Sequence, residues 1–102
     1  MERRYFLVRT YEVGVILRAD LSDEEISSHL ETIQGWIEAN GGKVVDVNHW
    51  GRRRLAYPIE KQRDGYYLFL KTEMPPDAPA ELERNLRISE TILRYLIVRE
   101  DE

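Results

Sequence analysis

The sequence predicts an α+β, ferredoxin-like fold, the split βαβ arrangement in the order βαββαβ, with a four-stranded antiparallel sheet carrying two helices on one face. Three observations predict it: strand-period alternation in separate segments, two apolar stripes at helical spacing, and turn residues that divide them in that order. Two right-handed crossovers place both helices on the same side, which leaves the other face and the outer edges open.

Residues 5–17 are rich in β-formers, and Tyr11, Val13, Val15 and Leu17 alternate with Thr10, Glu12, Gly14 and Ile16 at the period of a strand. Ser22 and Glu25 have capping-box spacing, with Leu21 and Ile26 set for a hydrophobic staple, so the first helix starts at Ser22. Ile26, Leu30, Ile33 and Ile37 form its apolar stripe, Glu24, Glu31 and Glu38 its polar face, and Asn40, Gly41 and Gly42 stop it. Residues 43–59 read as a long second strand, in which Gly51 marks a bulge and Pro58 sets the far end on an edge or outside the ladder. A turn-rich connection over 61–65 makes the next strand its hairpin partner. In residues 66–73 one face is Tyr66, Leu68, Leu70 and Thr72, and the other is Tyr67, Phe69, Lys71 and Glu73. Pro75, Pro76, Asp77 and Pro79 suit a turn into a second helix, with Asp77 as N-cap and Ala78, Leu82 and Leu86 as the inner stripe. Residues 91–99 form the last strand, Leu93, Tyr95 and Ile97 on one face and Ile92, Leu96 and Val98 on the other. The single domain spans 9–99, preceded by a short extension, 1–8, that lengthens the first strand, and followed by an acidic tail, 100–102.

A chain of 102 residues with 42% hydrophobic and 10% aromatic side chains has enough material for one core. The lack of cysteine excludes a disulfide scaffold, a thiolate zinc site, an iron–sulfur cluster and a cysteine nucleophile. No apolar run approaches a membrane span, and 5–8 is too short for the core of a secretory signal, so a soluble cytoplasmic protein with no membrane partner is expected. His29 and His49 lack ligand spacing, so no metal is expected. Gly41 and Gly42 follow a helix, which makes them a helix stop instead of a phosphate cradle. Ser22, Ser27, Ser28 and Ser89 have no nucleophile setting. Acylphosphatases share this architecture, but their phosphate-cradling loop is absent from Leu17-Arg18-Ala19-Asp20. Neither an enzyme, a cofactor nor a small-molecule substrate is expected.

The net charge of −4 argues on average against polyanions, but its distribution is bipolar. Residues 20–40 carry six acidic and no basic side chains, whereas 43–71 carry seven basic against three acidic. Twelve of the fifteen cations are Arg, whose planar fork suits bidentate phosphate contacts. Arg52, Arg53 and Arg54 alternate across a strand, so they are either solvated at an edge or meet phosphates. Large apolar residues on both faces of the third and fourth strands exceed what one helical layer covers, which marks Tyr67 and Phe69, with Tyr57, as a protein-partner surface. The stretch Asp64-Gly65-Tyr66-Tyr67-Leu68-Phe69 resembles the third-strand signature of an RNA-recognition motif. Tyr67 stands where a small residue belongs and Leu68 where an aromatic belongs, which favours core tyrosines.

Five segments carry a broader likeness: Arg9-Thr10-Tyr11-Glu12; Gly51-Arg52-Arg53-Arg54-Leu55-Ala56-Tyr57-Pro58-Ile59 with Lys61; Gly65-Tyr66-Tyr67; Glu73-Met74-Pro75; and Leu86-Arg87-Ile88 followed by Ile92-Leu93-Arg94. In them the chain resembles the bacterial small-subunit ribosomal protein S-six family. The resemblance implies a structural constituent of the ribosome that binds the central domain of small-subunit ribosomal RNA together with ribosomal protein S-eighteen. It further implies Arg9, Arg53, Arg54, Arg87 and Arg94 as RNA- or partner-facing cations, each of which equally suits an ion pair within the chain. Arg3, Arg4, Arg52 and Lys61 are additional RNA contacts on this reading, while Tyr57 and Pro58 shape the strand end. The alternative is a ferredoxin-like small-ligand regulatory or dimerisation module that uses the open sheet face.

Overall fold

The computed structural model describes residues 8–100 and has the expected element order. The elements are β1 (Arg9–Arg18), α1 (Asp23–Ala39), β2 (Lys43–Ile59), β3 (Gln62–Met74), α2 (Ala78–Ile88) and β4 (Ile92–Arg99). The sheet order is β2-β3-β1-β4 with every neighbour antiparallel, so β2 and β4 are the edges. Tyr11, Val13, Val15 and Leu17 of β1 and Leu68 and Leu70 of β3 form one buried cluster with Ile26, Ile33 and Ile37 of α1 and Ala78, Leu82 and Leu86 of α2. Both helices therefore cover the same face. The one buried polar side chain among the described residues, Thr72, donates its hydroxyl to the Tyr11 carbonyl at 3.1 Å, which offsets its desolvation.

α1 begins and ends as its local sequence dictates. The Glu25 amide donates to Ser22 Oγ at 3.1 Å and the Ser22 amide to Glu25 Oε1 at 2.8 Å, a complete capping box. At the other end the Gly42 and Gly41 amides reach back to the Ile37 and Glu38 carbonyls, the paired bonds of a Schellman stop. Ser22→Ala removes one of the box's two bonds and is expected to cost about 1 kcal/mol, read as a lower urea midpoint.

Three local expectations are corrected. The connection expected over 61–65 is only the pair Glu60-Lys61, with φ of 50° and 67°, and β3 already starts at Gln62. Two left-handed residues give a hairpin turn that matches the right-handed twist of its strands. Gly65, which reads as a turn signal, instead sits in the ladder opposite Arg18 and Arg53, where a Cβ would overlap Ile16 Cγ2. In β4, Ile16 faces Arg94 while Leu17 faces Ile92, so Leu93 is the extra residue of a bulge. Ile92, not Leu93, therefore joins Tyr95 and Ile97 against the core. Asp77 does occupy the α2 N-cap, but its side chain makes no capping bond; the Ala78 amide is satisfied by the Pro75 carbonyl at 3.0 Å. Val8 precedes β1, and the rest of the 1–8 extension, Arg3 and Arg4 included, lies outside the described residues, as does the tail beyond Glu100.

Candidate nucleic-acid and partner interface

The long β2–β3 hairpin draws the molecule out to 51 × 27 × 23 Å and gives the sheet a distinct hairpin end. Pairing runs to Arg54 opposite Asp64 with single-residue bulges at Val45 and at Trp50, the latter beside Gly51 where the sequence marks one, and resumes only at Ile59 opposite Gln62, so 55–58 leave the ladder. Pro58, with no amide proton to donate, lies in that unpaired stretch. Leu55 is 6% exposed, turned inward beside Ile16 and Gly65. The hairpin thus folds part of itself over the face that the helices leave open.

On that face two arginines rest on aromatic rings. The Arg53 guanidinium lies 5.0 Å from the centre of the Trp50 ring and its Nε donates to the Trp50 carbonyl at 3.3 Å. Trp50 itself packs on Phe69 with centroids 4.6 Å apart, and Phe69 lies against Gly14, where a Cβ would fall 2.8 Å from its ring. Arg94, on β4, sits 5.5 Å from the Tyr57 ring centre and donates to the Tyr57 hydroxyl at 2.5 Å. Each contact orders a long cation at little cost in solvation, because the guanidinium plane stays half in water. Tyr67 is half-buried between these pairs, and Trp50 remains 51% exposed.

The other cations divide by position. Arg54 lines a shallow hollow with Arg63, Tyr57 and Pro58, and Lys61 is exposed at the hairpin tip. Arg87 borders a larger hollow of about 660 Å³ with Arg18, Arg94, Ser89 and Glu60, between the α2–β4 turn and the hairpin. It pairs with Glu83 at 3.1 Å, and the same carboxylate oxygen accepts from the Tyr95 hydroxyl at 3.1 Å. Tyr95, then Glu83, push the Arg87 guanidinium above its ordinary pKa. Arg52 projects to the helix side and binds the β1–α1 connection. Arg9 pairs with Met74 at the far end of the sheet, away from all of these.

The fold therefore gathers Arg53, Arg54, Arg87, Arg94 and Lys61 at the hairpin end with Tyr57, and leaves Arg9 apart. Arg18 and Arg63 join the same end and Trp50 packs under Arg53 beside it, although the sequence alone gives none of the three a binding role. A large apolar side chain exposed beside cations is the informative signal for Trp50, whereas Arg63 is hidden when its segment reads as a turn. The exposed carboxylates of α1 lie on the opposite side of the molecule from the open face. Among the described residues no cluster of metal-ligating side chains occurs, and no helix is long and apolar enough to cross a membrane.

Comparison with known proteins agrees with this architecture. The family model described as Ribosomal protein S6 matches residues 10–99. The small ribosomal subunit protein bS6 of Caldanaerobacter subterraneus subsp. tengcongensis is 41% identical over 95 residues, covering 93% of this chain and 100% of that protein. The protein of the same name from Methylobacterium nodulans is 45% identical over 89 residues, covering 87% of this chain and 66% of that one. The crystal structure of 30S ribosomal protein S6 from Thermotoga maritima superposes with a TM-score of 0.86 at 29% identity, covering 91% of this chain and 88% of that chain. Matched along nearly its whole length in both sequence and fold, the chain belongs to the ribosomal protein S6 family, and is thus a structural, non-enzymatic component of the small subunit, located in the ribosome of the bacterial cytoplasm.

Proposed function

We propose that the chain binds the central domain of small-subunit ribosomal RNA together with ribosomal protein S-eighteen, with the hairpin end toward RNA and the open sheet face toward the protein partner. The observation that carries this reading is the sorting of charge and aromatic surface. Arginines held on rings crowd one end of the open face, while the acidic helix α1 lies on the other side of the sheet. Cations of this kind neutralise phosphates and release counterions, so they supply affinity and orientation without reading bases. A net charge of −4 makes the isolated protein a weak RNA ligand, and a more basic partner supplies the remaining attraction.

The interface has two parts with different chemistry. Arg53, Arg54, Arg94 and Lys61 face phosphate, whereas Trp50, Tyr67, Phe69 and the exposed Leu96 offer apolar area for a protein. Titration of central-domain RNA with the protein and S-eighteen over a salt series tests the first part. Arg53→Ala combined with Arg54→Ala is expected to weaken the complex and to flatten the slope of log K against log salt by about one to two. A slope and affinity equal to the native protein's reject the placement of these residues at RNA.

A further inference from the structure

The three consecutive arginines of β2 do not share one task. Arg52 turns to the helix side, where its Nε donates to the Ala19 carbonyl at 2.9 Å and its Nη2 to the Leu21 carbonyl at 2.6 Å. Nη2 also lies 3.6 Å from Asp23 Oδ1, and the guanidinium carbon is 5.5 Å from the centre of the Tyr66 ring. Tyr66 in turn holds its hydroxyl 2.8 Å from His49 Nδ1 on the same strand as Arg52. The edge formed by Nε and Nη2 is one of the two with which a guanidinium grips a phosphate bidentately, and Nη2 belongs to both. Here that edge is already occupied by two carbonyls of the β1–α1 connection, just ahead of the Ser22 cap. A planar fork spans two carbonyls at fixed spacing, which an ammonium on a flexible stem does not.

The position of this tie gives it a consequence. Arg53 and Arg54 are the next two residues, and after Arg54 the β2–β3 ladder breaks until Ile59. β2 is also an edge strand, so at this point it has a pairing partner on one side only. We propose that Arg52 is a positioning residue: it pins β2 to the β1–α1 connection immediately before the ladder breaks and so sets the direction in which Arg53 and Arg54 meet RNA phosphates. This rests on the RNA reading above. Held in place beforehand, the two long side chains lose less freedom on binding.

The test compares the native protein, Arg52→Lys, Arg52→Ala and the Arg53→Ala, Arg54→Ala double variant, each titrated with S-eighteen onto central-domain RNA over a salt series. Both Arg52 variants are expected to bind about tenfold more weakly, the cost of ordering two freed side chains, with the native salt slope because no phosphate contact is lost. Native affinity in Arg52→Lys, or a slope reduced by about one in Arg52→Ala as for a direct phosphate contact, overturns the proposal. Arg52→Lys keeps the charge and guards against a misfolded Arg52→Ala. In Arg52→Lys, amide exchange at Arg53 and Arg54 is expected to quicken while the β1–β3 ladder keeps its native rates; unchanged exchange at those two amides also overturns it. If the double variant too binds natively, the RNA reading has failed and this inference with it. If only the Arg52 variants do, this inference alone has failed.

Discussion

Leu82→Ala is expected to lower the free energy of unfolding by about 2–5 kcal/mol, the range for deleting a fully buried leucine side chain. Leu82 is 0% exposed at the middle of α2, with Ala78 and Leu86 one turn to either side. α2 has only 11 residues, and its N-cap side chain makes no hydrogen bond. A helix below about 12 residues is marginal in water by itself, so burial of that stripe holds α2 to the sheet. Removing the central member leaves a cavity under a helix with little else to hold it. The loss is a large share of the roughly 5–15 kcal/mol typical of such domains. Urea unfolding should show a lower midpoint with an unchanged slope. A shift equivalent to less than about 1 kcal/mol would mean that the surrounding side chains collapse into the space, against the close packing expected of such a core.

How legible each feature is in the sequence depends on the distance over which it is decided. α1 is readable to the residue because its capping box, stripe and glycine stop act within a few positions of one another. The two faces of β3 are readable for the same reason, since alternation alone separates Leu68 and Leu70 from Tyr67 and Phe69. Features set across the sheet are not. Leu93 is bulged because β1 and β4 change register between Ile16 and Leu17, and strict alternation along β4 carries no trace of that. Gly65 reads as a turn from its neighbours, yet its role is to let Ile16 and Leu55 approach, residues remote in sequence. For the candidate site, resemblance to a family names the arginines but not their directions. Arg52, Arg53 and Arg54 look alike in the sequence; one binds carbonyls 31 and 33 positions away, and its neighbour rests on Trp50. Arg9 reads as part of the same basic set and lies at the other end of β1.

Gly65→Ala should destabilise the protein by about 1–3 kcal/mol, the cost of inserting a methyl group into a packed site. The opposite sign is the ordinary expectation, because alanine restricts the unfolded chain and stabilises a compatible position by about 0.4–1 kcal/mol. Gly35, in the exposed middle of α1, has open space where an added methyl group would stand, with nothing within 4 Å, so Gly35→Ala should show that ordinary gain. At Gly65 the new carbon overlaps Ile16 Cγ2, stands 3.2 Å from Leu55 Cδ2 and 3.5 Å from the Leu17 carbonyl oxygen. Ile16 cannot swing aside cheaply, since a β-branched side chain in a strand has few χ1 positions. Strain is then relieved by lifting Leu55, the buried residue through which the unpaired 55–58 stretch rests on the open face. Tyr57 is carried with it and leaves Arg94, so the variant should lose RNA affinity at temperatures where it is still folded. Gly35→Ala should keep that affinity while melting higher. Equal stabilisation by both substitutions would show that the hairpin does not rest on Gly65, and would remove the packing that holds the cationic end together.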